Sequence, residues 1–206
     1  MKKKKLTIAL ALLGVIALYN SVYIDKLDVV KAKATQDQFD AVTYARTLFA
    51  EKIPTKFSKA LEISYLTELL ESKPEITFKE HSNALGIGNI RYFLTSGKGV
   101  VKTISDNYVT LTINQQTVNI ATEYVFGNAV RDASGLVDIA AFTNTMDFNN
   151  ISAEINKIIR KEVIPSFKHR VKMGETVEFI GAVEFNQKHL NLSKIEIIPI
   201  LLKIGE

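Results

Sequence analysis

Between Gly127 and Asn150 the chain concentrates the side chains best suited to chemistry: Arg131 beside Asp132, then Asp138, Phe142, Asn144 and Asp147. An arginine presents a planar fork of donors that fits a carboxylate or the hydroxyls of a sugar. Asn144 and Asp147 can hydrogen-bond the same kind of ligand, and Phe142 or Tyr124 offers an apolar face to a sugar ring. The candidate ligand- or partner-binding set is therefore Arg131, Asp132, Phe142, Asn144 and Asp147. The same residues have a structural reading, in which Arg131 and Asp132 tie the loop down internally while Asn144 or Asp147 caps the next helix. Replacing Arg131 by alanine separates the two: a ligand clamp loses binding but stays folded, whereas a structural tie loses the fold.

Other chemistries are thinner. Two carboxylates suffice for glycoside cleavage when about 5–10 Å apart, so Asp132, Asp138 or Asp147 could serve a cell-envelope hydrolase. Sequence spacing does not set that distance. His81, His169 and His189 share no metal-ligand spacing, and the absence of cysteine removes thiol nucleophiles and most structural zinc sites. Gly86-Ile87-Gly88 and Gly97-Lys98-Gly99 lead into strands rather than helices, so they suit turns or bulges better than phosphate loops. No cofactor, no metal and no catalytic constellation is expected, and the chain is read as a non-enzyme.

The elements that must position these residues change character along the chain. Thr35-Gln36-Asp37-Gln38 has the form of a capping box, predicting a helix to about Lys52 that stops before Pro54. Leu61, Tyr65, Leu66, Leu69 and Leu70 repeat at helical spacing over about Phe57–Ser72, and Pro74 opens a shorter helix ending near Gly86. The pattern then becomes strand-like: Ile90–Thr103 with glycines mid-run, Tyr108–Ile113, and Thr117–Tyr124. A helix bearing Ile151, Ile155, Ile158 and Ile159 follows and closes at Pro165, and strands over Thr176–Phe185 and Lys194–Lys203 complete the chain. Three strands, a helix and two strands give an α+β chain ending in an OB-like five-stranded antiparallel β-barrel, with the helix between strands three and four. A partly open α+β sandwich is the alternative.

The N-terminus supplies the location. Lys2 to Lys5 run into Leu6–Ile24, which has no charged residue and as a helix is roughly 28 Å long, near the thickness of a bilayer core. The lysines favour a cytoplasmic N-terminus, so the expected protein is single-pass in the inner membrane with its C-terminal part extracytoplasmic. A cleaved signal after Val15-Ile16-Ala17 is the competing reading. The organisation is thus 1–24 as anchor, 25–88 as a helical segment packed on the main domain, and 89–206 as the OB-like domain. Removing the four lysines of the anchor from the 26 basic and 22 acidic residues leaves a neutral remainder. That neutrality argues against a polyanion-binding surface. A nucleic-acid module would need an exposed groove of Lys98, Lys102, Tyr92 and Tyr108; no nucleic-acid partner is expected.

Several segments resemble a known group. Gly127-Asn128-Ala129-Val130-Arg131-Asp132-Ala133-Ser134-Gly135, Phe142-Thr143-Asn144 and Glu154-Ile155-Asn156 resemble an uncharacterised bacterial family of predicted periplasmic lipoproteins. Phe39–Ala45, Gly97-Lys98-Gly99-Val100, Gly181-Ala182-Val183 and Pro199 fit the same pattern, which covers about Asp25 to Ile204. The family carries a domain of unknown function and gives no catalytic residue. Its members are often encoded near sugar ABC transporters, implying an accessory role in carbohydrate uptake with a transporter component or a small carbohydrate as partner. This chain departs from the family in lacking the lipidated cysteine, so a membrane helix over Leu6–Ile24 would replace the lipid as tether.

Overall fold

The longest strand, β2 (Ile90–Ile104), contains two glycines and serves two long partners and one short one. Its first eleven residues pair antiparallel with β5 (Thr176–Asn186), from Ile90↔Asn186 to Val100↔Thr176. Its last residues pair antiparallel with β3 (Tyr108–Ile113), with a register shift between Val101 and Thr103. The glycines permit this change of partner. A Cβ on Gly97 would lie 2.7 Å from the Phe179 ring, and one on Gly99 2.6 Å from Ile113, so neighbouring side chains occupy the space a larger residue needs. In the computed structural model the described residues are 39–205 apart from 87 and 143, together with positions 14, 17 and 19.

From β3 a two-residue turn at Asn114 and Gln115, both with positive φ, leads into β4 (Gln116–Ala121). This is the backbone geometry that matches the right-handed twist of a hairpin. β4 pairs parallel with β6 (Ile195–Ile204), and β6 pairs antiparallel with β5. The ladder therefore returns to β2. A sixth, two-residue strand, β1 (Leu61–Glu62), lies parallel beside β2. The expected order of three strands, a helical stretch and two strands is present. The pairing is not wholly antiparallel, because β4 meets β6 in the same direction.

Strand residues alternate between interior and surface, as in β3, where Val109, Leu111 and Ile113 are buried. Phe93, Ile120, Phe179 and Ile197 join them in one cluster with Ile63, Leu66 and Leu70 of α2 (Ile63–Ser72) and Phe78 of α3 (Pro74–His81). The face of α2 thus runs through Ile63, Leu66 and Leu70 rather than Leu61 and Tyr65; Tyr65 is exposed. The difference follows from the start of the helix. Leu61 and Glu62 are extended, Thr95 Oγ donates to the Leu61 carbonyl at 2.7 Å, and the Glu62 carboxylate caps the helix at Tyr65 N.

Two prolines expected to end helices do not. α1 (Ala41–Thr47) begins at Asp40, whose carboxylate accepts from Val42 N and Thr43 N. It widens into a π turn at Leu48–Lys52 and continues as a 3₁₀ helix through Pro54 to Lys59. Likewise α5 (Thr145–Ile158) widens into a π turn at Ile159–Val163 and continues through Pro165 as α6 (Ile164–Lys168). A proline inside a helix lacks one donor and crowds the carbonyl a turn earlier. Widening that preceding turn by one residue accommodates both, so the helical run continues past the proline.

Met1–Phe39 and Asp40–Glu206 are separate compact units. The expected membrane helix, apart from positions 14, 17 and 19, and the Thr35–Gln38 capping box lie outside the described residues. Among the described residues no helix is long and apolar enough to cross a membrane.

Candidate functional site

The Arg131–Asp132 pair lies in the interior. Both residues belong to α4 (Ala129–Ala133), which packs against β2, β5 and β6, and they are 3% and 2% exposed. Arg131 Nε donates to Asp132 Oδ1 at 2.6 Å, Arg131 Nη1 donates to the Phe148 carbonyl at 3.0 Å, and the guanidinium stands 3.6 Å from the Phe148 ring centroid. The other Asp132 oxygen accepts from Asn128 Nδ2 at 2.7 Å. The fork and the carboxylate are thus satisfied by one another and by two neighbouring segments, as burial of charge requires.

The remaining candidates are distributed around this centre. Phe142 meets Tyr44 of α1 edge-on at 5.9 Å and Phe148 of α5 at 5.8 Å, so it joins those helices. Asn144 caps α5 reciprocally: its Oδ1 accepts from Asp147 N at 2.8 Å while its Nδ2 donates to Asp147 Oδ2 at 2.7 Å. Asp138 accepts from Ala140 N at the start of a short 3₁₀ turn. Arg131, Asp132 and Phe142 are brought together through Phe148; Asn144 and Asp147 sit at the helix start. Lys98 pairs with Glu178 at 2.9 Å, and Tyr92 is buried. Among the described residues no three His, Cys, Asp or Glu side chains come together as a metal cage.

What α4 and its preceding loop create is a cleft on the outer face of the sheet. Tyr124, Phe126, Asn128, Glu184, Lys194 and Glu196 line about 310 Å³, near the lower end of ordinary small-molecule sites, about 300–1,000 Å³. Glu184 on β5 and Glu196 on β6 fall one step beyond the Val183↔Ile197 pair, which puts them side by side on the same face. Each glutamate has a tyrosine beside it. Tyr92 sits opposite Glu184 in the β2–β5 ladder; burial, and then the charges of Glu184 and Asp132, push the Tyr92 phenol up to about 12. Tyr108 Oη donates to Glu196 at 3.0 Å, and burial together with that carboxylate raises its pKa as well. Above them Tyr124 and Phe126 are 56% and 64% exposed. The arrangement offers two acceptors, one cation and two aromatic faces to a single ligand.

Sequence reasoning singled out Tyr124 from this cleft but passed over Glu184, Lys194 and Glu196. The signal lay in strand phase. Glu184 and Glu196 sit on the surface phase of their strands, and only the β5–β6 register makes them neighbours.

A family model described as predicted periplasmic lipoprotein (DUF2291) matches residues 12–203. No curated protein matches the chain. An OB-fold protein from Thermotoga maritima, known from its crystal structure, superposes with a TM-score of 0.73 at 26% identity, over 82% of this chain and 100% of that one. With nearly its whole length inside the family model, the chain belongs to the DUF2291 family of predicted periplasmic lipoproteins.

Proposed function

We propose that this protein is a membrane-held, extracytoplasmic accessory module that binds an uncharged sugar in the cleft between the residue 124–129 loop and the β5–β6 face. The observation that carries the reading is the adjacent Glu184–Glu196 pair, with Glu196 held by Tyr108, beneath exposed Tyr124 and Phe126. Carboxylates accept from sugar hydroxyls and aromatic rings cover the apolar face of a pyranose, so one cleft provides both. The ring of pairings that returns to β2 supports an OB-type five-stranded barrel as the scaffold. The family description supports the extracytoplasmic side. Because the 206 residues include no cysteine to carry a lipid, the Leu6–Ile24 stretch is the proposed tether. The resemblance to proteins encoded near sugar transporters makes a transporter component the proposed partner.

The test is calorimetric titration of the full-length protein in detergent with neutral mono- and oligosaccharides. Saturable binding that is lost in Tyr124→Ala and Glu196→Gln supports the cleft. Absence of binding across the panel sinks the sugar reading and directs attention to a protein partner, to be captured by crosslinking in membranes. A second reading, a cell-envelope hydrolase, draws on the adjacency of the same two glutamates. New reducing ends released from peptidoglycan or an oligosaccharide, absent with Glu184→Gln, would favour it.

A further inference from the structure

The segment Phe126–Asn128 has a second concavity on its other side, toward α5. About 380 Å³ are lined by Phe126, Asn128, Asn149, Ser152, Asn156 and Arg160, with no acidic residue. Ser152 is only 8% exposed and its hydroxyl has no hydrogen-bond partner, an uncommon state for a buried polar group. Asn149, Ser152 and Asn156 follow at intervals of three and four along α5 and so share one face. Asn156 is oriented by donating its side-chain nitrogen to the Gly127 carbonyl at 2.7 Å. Arg160, in the π turn that follows, donates to the Val125 carbonyl and stands 5.1 Å from the Phe126 ring centroid. Among the described residues it has no carboxylate partner. One guanidinium donor is engaged by the backbone, which fixes the group in place and leaves its charge unpaired.

We propose that this concavity binds a hydroxylated carboxylate of the sugar-acid class. Arg160 pairs with the carboxylate, Asn149 meets one hydroxyl, Ser152, whose Oγ is enclosed in the unbound protein, turns its side chain outward to meet another, and Phe126 lies against the ring. The site opposes the neutral-sugar cleft in charge and shares with it only the residue 126–128 wall. It therefore stands or falls independently of that reading.

The experiment is calorimetric titration of the full-length protein in detergent with D-glucuronate, D-glucose, acetate, inorganic phosphate and N-acetyl-dialanine. The expected result is saturable glucuronate binding, weakened about tenfold or more in Arg160→Gln and unaffected by Glu196→Gln. Acetate, phosphate and the dipeptide should bind more weakly than glucuronate. Because Arg160 also holds Val125, Ser152→Ala is the second variant: it should keep or raise the melting temperature while weakening glucuronate. The proposal is overturned if glucuronate fails to saturate, if acetate, phosphate or the dipeptide binds as tightly, or if Ser152→Ala leaves glucuronate affinity unchanged. Loss of neutral-sugar binding in Glu196→Gln, with glucuronate binding intact, separates the two sites.

Discussion

The interior around α4 and the outer cleft over β5 and β6 use the same vocabulary of acids, a cation and aromatic rings. They spend it differently. Around α4, Arg131 and Asp132 face each other, Phe148 covers the guanidinium, and Asn128 takes the remaining carboxylate oxygen. In the cleft, Glu196 engages the Tyr108 phenol and Glu184 faces Tyr92 across the ladder, while Tyr124 and Phe126 stay open to solvent. A cluster that satisfies itself is scaffold; one that keeps capacity at the surface can receive a ligand.

The largest effect that can break this contrast is at Arg131. Arg131→Ala leaves Asp132 buried without its counter-charge and should cost about 3–5 kcal/mol, read as the shift of the urea midpoint. Arg131→Met with Asp132→Leu should recover much of that loss. A fold unaffected by the single change, with binding abolished, would move Arg131 back to the site. Next in size is the alkaline limb of stability. The Tyr92 phenol ionises near 10 when unfolded and at about 12 when folded. Its contribution is therefore complete below pH 10 and lost as pH rises from 10 to 12, at about 1.4 kcal/mol per pH unit. Tyr92→Phe should flatten that limb in a pH series of thermal melts.

Smaller is Gly181→Ala on β5, where a Cβ would run into Ile197 Cγ2 and lie 2.6 Å from the Ile198 carbonyl oxygen. It should lower stability by about 1–3 kcal/mol, since backbone on one side does not yield. Smallest is Asn144→Ala, which removes the cap of α5 for about 1 kcal/mol and should leave ligand binding at wild-type strength.

The strands were legible from residue types because their alternation is local: Tyr108–Ile113 reads directly as a half-buried strand. Gly97 and Gly99 likewise signalled an irregular β2, whose register with β3 shifts between Val101 and Thr103. Three features were not legible. Pro54 and Pro165 read as stops because their π turns are a tertiary accommodation, and Leu61–Glu62 read as helix because its parallel pairing with β2 lies 34 residues away. The site divided in the same way. Asn144 and Asp147 were readable as a cap from their spacing of three. Glu184 and Glu196 belong together only through a register that no local pattern carries.

The return of the ladder to β2 has a kinetic consequence. The β2–β5 ladder joins residues 76 to 96 positions apart, so during synthesis β2, β3 and β4 exist first as a meander with unpaired outer strands. Such edges recruit other chains until they are covered. The interval between making β4 and making β6 is therefore the period of greatest aggregation risk. A holding chaperone should matter most then, and slowing translation after Ala121 should reduce the yield of folded protein more than slowing it before Ile90.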